Sequence, residues 1–426
     1  MIRTVNAASD EGKAALRSLA LARQAPDFGS LREALPIVEE VLADPCPPEV
    51  LLRYVAKLDG AALSRETLVV DPCAGPGDAA DPAFTRAFRV ARRRIVAYHR
   101  RQRPRGFAFR DAAGVSFRER PYPHQAAGVY VPGGRAFYPS SLLMGAVPAQ
   151  VAGVPRVVLA TPFRAWNGSP ELRWAARELG IREVLLAGGA HGIAGLASYL
   201  GCTKIVGPGN RWVAAAKQLV SSVVSIDLFA GPSEVLIVAS SDADPELVAA
   251  DLLAQAEHDP RALCLLFTDS APLARETGAA LARQIEGLPT AATARASLDA
   301  LGLAVVFRSF PAAAEEARRI AAEHLQLIGK KAERYRELLS ATAGALFCGS
   351  ATPTAFGDYL AGPNHVLPTG GAGRSFSGLS VRDFYRWGRS VSFSTAAARK
   401  LAGDAAVLAR FEGLIGHARS LERRGR

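Results

Sequence analysis

The sequence predicts an α/β protein made of two Rossmann-like doubly wound units, entered through a helical N-terminal segment and ending in an extended C-terminal tail. Three observations lead there. Short β-branched or leucine-rich runs alternate with helical stretches in the middle of the chain, and the same alternation starts again at SEVLIVAS. From about Phe376 the chain turns polar and turn-rich and then helical, without the apolar residues for a core of its own. A chain of 426 residues is also too long for one small core.

Taken in order, Leu31 to Gln102 reads as helix, interrupted by DPCPP at 44 to 48 and by a Gly/Pro/Asp-rich loop at 71 to 82. Near its end Phe84, Phe88, Ala91, Ile95 and Tyr98 recur at helical spacing, while Arg89, Arg92, Arg93, Arg94, Arg100 and Arg101 fill most other positions. This is an amphipathic helix with a solvated basic face, and it is the densest source of the formal charge of +11. No recognised nucleic-acid motif accompanies that charge, so no nucleic-acid partner is expected. A turn-rich passage from Arg118 to Tyr138 follows. Beyond it VPRVVLATPF, REVLLAGGA and TKIVGPGN end in small residues, and the first two lead into helices. The second series runs SEVLIVAS, a helix from Asp244 to His258, ALCLLFTD, a long helix ending near Glu286, LAVVFRSF, another helix and GALFCGS. Strand, glycine turn and helix in repetition give a parallel sheet covered by helices. The tail, finishing as helix with ERRGR, is expected to pack on a partner surface.

Several classes are excluded by composition. The most apolar region, Leu142 to Phe163, is broken by Pro148, Pro155 and Arg156, so no membrane span is expected. The opening residues MIRTVNAASDEGK carry no apolar core, and a cytoplasmic location is expected. Cys46, Cys73, Cys202, Cys264 and Cys348 are odd in number and form no CxxC pair, against both a disulfide framework and a thiolate zinc site. Any metal must be held by histidine, carboxylate or amide ligands.

Four polar motifs can carry chemistry. In DLLAQAEHDP, Gln255 and His258 sit three apart near a helix end and share a face, which suits one ion but suits a solvated pair as well. In AAEHLQL, Glu323 and His324 are expected at the end of a helical run, where acid and base point different ways and can serve separate proton transfers. A helix C-terminus that favours a histidine explains them equally. In AFGDYLAGPNHVLPTGG, Asp358 and His365 lie in a loop among glycines and prolines, either as site residues or as turn residues. In FEGLIGHARSL, Glu412 and His417 are five apart in the tail, and a surface helix accounts for them. Two glycine-rich segments, GGAHGIAGLA and KIVGPGNRWV, follow expected strands and open helices, as a dinucleotide phosphate site requires. Neither is a GxGxxG fingerprint, and no acidic residue stands out about twenty positions on; tight packing turns are the alternative.

Together these segments resemble the histidinol dehydrogenase family. GVYVPGGRAFYPSS, the GGA turn, VGPGN, DLFAGPSEVLIVA, LLAQAEH, EHLQL, GDYLAGPNHVLPTGG and EGLIGHARS match family blocks in order and spacing, from about Arg118 to the C-terminus. The resemblance implies oxidation of L-histidinol to L-histidine through L-histidinal, with two NAD reduced. It implies zinc on Gln255, His258 and Asp358, completed by His417 from the other subunit of a homodimer. Glu323 and His324 would accept protons. Ser233, His365 and Glu412 would contact histidinol beside His324 and the zinc ligands, and Tyr130 and Asn210 would contact NAD. The implied division is an N-terminal arm at 1–25, a discontinuous catalytic domain at 26–129 and 232–375, an inserted NAD-contacting domain at 130–231, and a dimerisation tail at 376–426 that crosses between subunits. Two departures stand out. His191 replaces the usual Gln, a side chain expected to touch NAD, and can make only part of the amide's hydrogen bonds. Ala322 replaces the usual Pro before Glu323. Three rival readings are a paralogous dehydrogenase of another small alcohol such as a sulfonated diol, a zinc hydrolase with Glu323 as base, and a basic nucleic-acid-binding protein. The first would call for Arg or Lys where Glu412 and His365 stand, the second leaves the glycine turns unused, and the third rests on charge alone.

Overall fold

Two six-stranded sheets carry the chain, and both are built from the alternation the sequence displays. The computed structural model describes residues 2–24, 27–43, 46–75, 77–133, 138–228 and 231–425, so parts of the GVYVPGGRAFYPSS, DLFAGPSEVLIVA and DPCPP segments lie outside the described residues.

The first sheet is wholly parallel, in the order Arg3–Asn6, Leu303–Val306, Leu263–Thr268, Glu234–Ala239, His324–Ile328, Ala345–Cys348. Every residue of Leu263–Thr268, Glu234–Ala239 and His324–Ile328 is buried, as strands covered on both faces require. Alternation sorts the layers: Val235, Ile237 and Ala239 face the helices Pro245–Ala256, Ala271–Gln284 and Ala291–Leu301, while Leu236 and Val238 face Phe310–Ile320. The second sheet runs Val69–Val70, Glu183–Leu185, Arg156–Ala160, Ala126–Tyr130, Lys204–Val206, Ser225–Ile226, parallel except for Val69–Val70. Ala127, Val129 and Leu159 pack with Pro139–Ala152 and Pro82–Arg100 on one side. Ala126, Val158 and Ala160 pack with Phe28–Leu42, Gly189–Ala197 and Arg211–Val220 on the other.

This packing divides the chain differently from the expected boundaries. Arg3–Asn6 is not an arm; it is the edge strand of the first sheet, in register with Leu303–Val306. The helices between Phe28 and Arg100 belong to the second sheet, because the apolar stripe Ala34, Val38, Val41 and the stripe Phe88, Ala91, Ile95 find their partners there. The basic helix is Pro82–Arg100 as expected, with its buried stripe ending on His99 and not on Tyr98. Arg89 and Arg92 on its outer side pair with Glu178.

The tail contains a strand not expected above. Tyr385–Phe393 pairs antiparallel with Val115–Pro123, which pairs in turn with Phe107–Arg110. The helices Thr395–Phe411 and Ile415–Glu422 then pack on each other through Ala406, Ala409 and Ala418, leaving Val407, Leu408, Phe411, Leu414 and Ile415 exposed. Among the described residues no helix is long and apolar enough to cross a membrane.

Candidate active site

Glu323 and His324 do not end a helix. Phe310–Ile320 stops at Ala321, the one non-glycine among the described residues with positive φ (49°), and the chain reverses there into the strand His324–Ile328. Glu323 and His324 therefore stand at the N-terminal edge of the first sheet, beside the start of Glu234–Ala239, with Val235 in register with His324. Glu323 Oε2 accepts from the Glu234 N–H at 2.8 Å, and Glu234 Oε2 accepts from the Glu323 N–H at 3.4 Å. His324 Nδ1 lies 3.1 Å from the Glu234 carbonyl, to which it donates, and 3.6 Å from Glu323 Oε2. Glu234 Oε1 also accepts from Gly370 N–H at 3.1 Å, tying the loop that follows His365 to this edge. Burial works against the charge on the His324 ring, but the Glu323 carboxylate, then Asp358 and the Glu234 carbonyl, outweigh it and push the ring up to about 9.

Asp358, on the short helix Ala355–Tyr359, collects the histidines. His365 Nδ1 is 3.4 Å from Asp358 Oδ1. Burial raises the acid's affinity for its proton, yet His365, by hydrogen bond and charge, with His324 and His258, holds the Asp358 carboxyl below the usual range. Gln255 closes the helix Pro245–Ala256 at 5% exposure, and its side-chain amide bonds no described residue; exposed His258 follows two residues beyond that helix. One turn earlier, Asp251 Oδ2 accepts from Gln326 Nε2 at 2.7 Å, which links this helix to the same face of the strand that carries His324. Ser233 immediately precedes Glu234 at the same edge, its carbonyl accepting from Leu263 N–H at 3.0 Å. Six expected site residues thus share one sheet edge with Ser233. Glu412 and His417 do not join them within the chain: both are exposed, Glu412 in the turn after Thr395–Phe411 and His417 on Ile415–Glu422. Among the described residues no three His, Cys, Asp or Glu side chains can hold a metal together.

The expected cofactor residues lie at the C-terminal edge of the second sheet. Tyr130 ends its strand at 3% exposure, and its hydroxyl accepts from the Gly189 N–H at 3.0 Å. Burial raises the phenol, which stays protonated. Asn210 caps Arg211–Val220 by accepting from the N–H groups of Trp212 and Val213, both at 3.1 Å. His191 is 1% exposed, and its Nε2 is 3.1 Å from Asp59 Oδ2. An acidic residue does stand twenty positions after Gly207. Asp227 Oδ2 accepts from Gly207 N–H at 2.8 Å, while Lys217, ion-paired with Asp227, donates to the Gly207 carbonyl at 2.9 Å. Gly207 has φ +125°, and a Cβ there would lie 2.2 Å from the Tyr130 carbonyl oxygen. Asp59, Asp227 and Glu234 escaped sequence reasoning; only the spacing of Asp227 from Gly207 offered a signal.

The family model described as histidinol dehydrogenase matches residues 30–425. The chain belongs to the histidinol dehydrogenase family. A histidinol dehydrogenase of Agrobacterium fabrum is 44% identical over 377 residues, covering 87% of each chain. One of Rhodopseudomonas palustris is 42% identical over 423 residues, covering 95% of this chain and 98% of the relative. The crystal structure of histidinol dehydrogenase from Elizabethkingia anophelis superposes with a TM-score of 0.86 at 28% identity, covering 99% of this chain and 98% of that one. Membership makes the chain an oxidoreductase of histidine biosynthesis. It also gives the acid, base and histidine cluster at the first sheet's edge a family to which histidinol oxidation belongs.

Proposed function

We propose that this chain oxidises L-histidinol to L-histidine through L-histidinal in two NAD-dependent steps, as a homodimer with one zinc per subunit, in the cytoplasm. The observation that carries the reading is the pairing of Glu323 with His324 at a buried sheet edge, 3.6 Å apart, beside a histidine-held Asp358. The free state of all five cysteines agrees with a reducing compartment.

The donor set suits zinc. Gln255 offers an amide with no described partner, His258 an exposed imidazole, and Asp358 a carboxylate kept ionised by its neighbours. A fourth donor is needed, and His417 on an exposed helix beside five exposed apolar residues suits delivery from the partner subunit. When bound, zinc supplies a fixed positive centre that orients the amino and imidazole nitrogens of the substrate. Two NAD molecules, one for each oxidation, would supply the hydride acceptors.

The protein's own groups move the protons. His324 Nδ1 is committed to the Glu234 carbonyl, which leaves Nε2 to take the alcohol proton as the C–H hydride departs. Glu323, with Oε2 held by the Glu234 N–H, takes a proton from the water that adds to the aldehyde, giving the hydrate whose second hydride leaves to form the carboxylate. Ser233, His365 and Glu412 contact histidinol, and Tyr130 and Asn210 contact NAD. Incubating the purified protein with zinc, NAD and L-histidinol should give two NADH per histidine formed. Turnover of another alcohol with none of histidinol would overturn the substrate.

A further inference from the structure

We propose that Asp59 is a positioning residue for the cofactor half of the site, acting through His191 and the Gly188–Gly189 turn on the Tyr130 hydroxyl. The inference rests on the reading of Tyr130 as a cofactor contact. Asp59 is the last residue of a π-helical turn, Val55–Asp59, closed by Gly60 at φ 64°. A π-turn re-aims the residues at its end and is frequent at functional sites. Here it delivers a carboxylate, 11% exposed, from the N-terminal helical segment to the start of Gly189–Ala197.

One oxygen of that carboxylate does two things. Asp59 Oδ2 accepts from the Gly188 N–H at 2.8 Å and lies 3.1 Å from His191 Nε2, which donates to it. The next N–H, that of Gly189, donates to the Tyr130 hydroxyl. Because that hydroxyl is already an acceptor of one bond, its own proton is directed elsewhere and remains available to a ligand. Asp59 therefore fixes the turn that fixes the phenol.

Two independent features argue that the arrangement is built around the carboxylate. A Cβ at Gly188 would lie 2.9 Å from Asp59 Oδ1 and 2.7 Å from Pro162 Cγ, so only glycine admits the acid at this turn. His191 also leaves Nδ1 buried without a partner, a cost accepted while Nε2 is kept on Asp59 and the ring is stacked on Tyr54 at 6.2 Å between centroids. With Asp59 on the Gly188 N–H and the Tyr130 hydroxyl on the Gly189 N–H, the N-cap N–H and the first N–H of this helix are both taken, and neither is open to a cofactor phosphate.

Calorimetric titration of the zinc-loaded protein with NAD, without histidinol, tests the role together with separate KM values for the two substrates. Asp59→Asn should weaken NAD binding about tenfold, the worth of one hydrogen bond, and raise the KM for NAD while the KM for histidinol stays unchanged. His191→Gln, which can still donate to Asp59, should bind NAD like the parent, and His191→Ala should not. Unchanged NAD affinity in folded Asp59→Asn, or equal weakening of both substrates, would overturn the proposal. Should Asp59→Asn fail to fold, the His191 pair decides, and equal behaviour of Gln and Ala there overturns it. Tyr130→Phe separates the two claims. If it weakens NAD and Asp59→Asn does not, the positioning role falls alone; if it does not weaken NAD, the cofactor contact falls with it.

Discussion

The two sheets use opposite edges. The second presents Tyr130, the Gly188–Gly189 turn and Asn210 at the C-terminal ends of its strands, where open parallel sheets ordinarily bind ligands. The first presents Ser233, Glu234, Glu323 and His324 at the N-terminal ends. The difference lies in what the helices offer. At a C-terminal strand edge helices begin, and their N–H groups attract anions; here Asp59 takes the N-cap N–H of Gly189–Ala197, and Asp227 takes the Gly207 N–H in the loop that leads to Arg211–Val220. At an N-terminal strand edge helices end, with their negative ends toward the site. Pro245–Ala256 brings Gln255 and His258 there. An edge of that polarity favours histidinium, a metal ion and a cationic substrate, which is the chemistry proposed for it.

The comparison breaks most visibly if the first edge does not carry the proton transfers. His324→Asn should lower kcat by about 10²- to 10⁴-fold while leaving NAD binding intact, measured by NADH formation and by titration. A loss of NAD affinity of the same size would mean that the edges are not separate in function. A smaller, more specific effect concerns the tail. His417→Ala should weaken zinc by at least about tenfold by metal analysis, since even an outer-shell change costs that much. Mixing it with an inactive Glu323→Ala/His324→Ala protein should restore part of the activity through hybrid dimers. Absence of rescue would place the fourth ligand elsewhere.

What the sequence made legible differs between the edges for physical reasons. Parallel strands buried on both faces read as apolar runs, and glycine turns announce themselves, so the second edge was visible apart from its carboxylates. Asp59 and Gly188 are 129 residues apart, and such a side-chain-to-backbone bond leaves no pattern in the sequence. The first edge was misread locally because AAEHLQL is composed of good helix formers and nothing marks the stop at Ala321. Arg3–Asn6 is too short to show alternation, whereas Tyr385–Phe393 does alternate, with Tyr385, Trp387, Val391 and Phe393 on one face, a pattern masked by the polar, turn-rich residues that precede it. The gathering of His365, His324 and His258 around Asp358 was legible only as an ordered set of motifs, because each motif alone fits a surface helix or a turn.

Acidity separates the edges too. His324 is raised from 6.5 to about 9, so its ring is cationic at neutral pH and must lose that proton before it can act as a base. kcat/KM for histidinol should rise with pH through the point at which His324 loses its proton in the zinc-loaded enzyme, and His324→Asn should lose this limb. Stability runs the other way. A folded value above the unfolded one stabilises the fold fully below 6.5, and that contribution is lost as pH rises through about 9. Denaturant titration of the zinc-free protein across this window should show the decline, and His324→Asn should flatten it.

The smallest expected effect tests the backbone. At the second edge the left-handed positions are glycines, Gly189 at φ 50° and Gly207 at φ 125°, whereas the turn into the first edge uses Ala321 at φ 49°. A Cβ in that region costs about 1–2 kcal/mol. Glycine there would relieve the strain but give back about 0.4–1 kcal/mol through the freer unfolded chain. Ala321→Gly should therefore stabilise the protein by about 0.5–1 kcal/mol in urea unfolding. Its effect on rate tells what the strain is for. If kcat stays within about twofold, Ala321 merely ends a helix; if kcat falls while stability rises, the fixed reversal holds Glu323 against the Glu234 N–H, and strain at this edge does for the base what glycine turns and Asp59 do for the cofactor side.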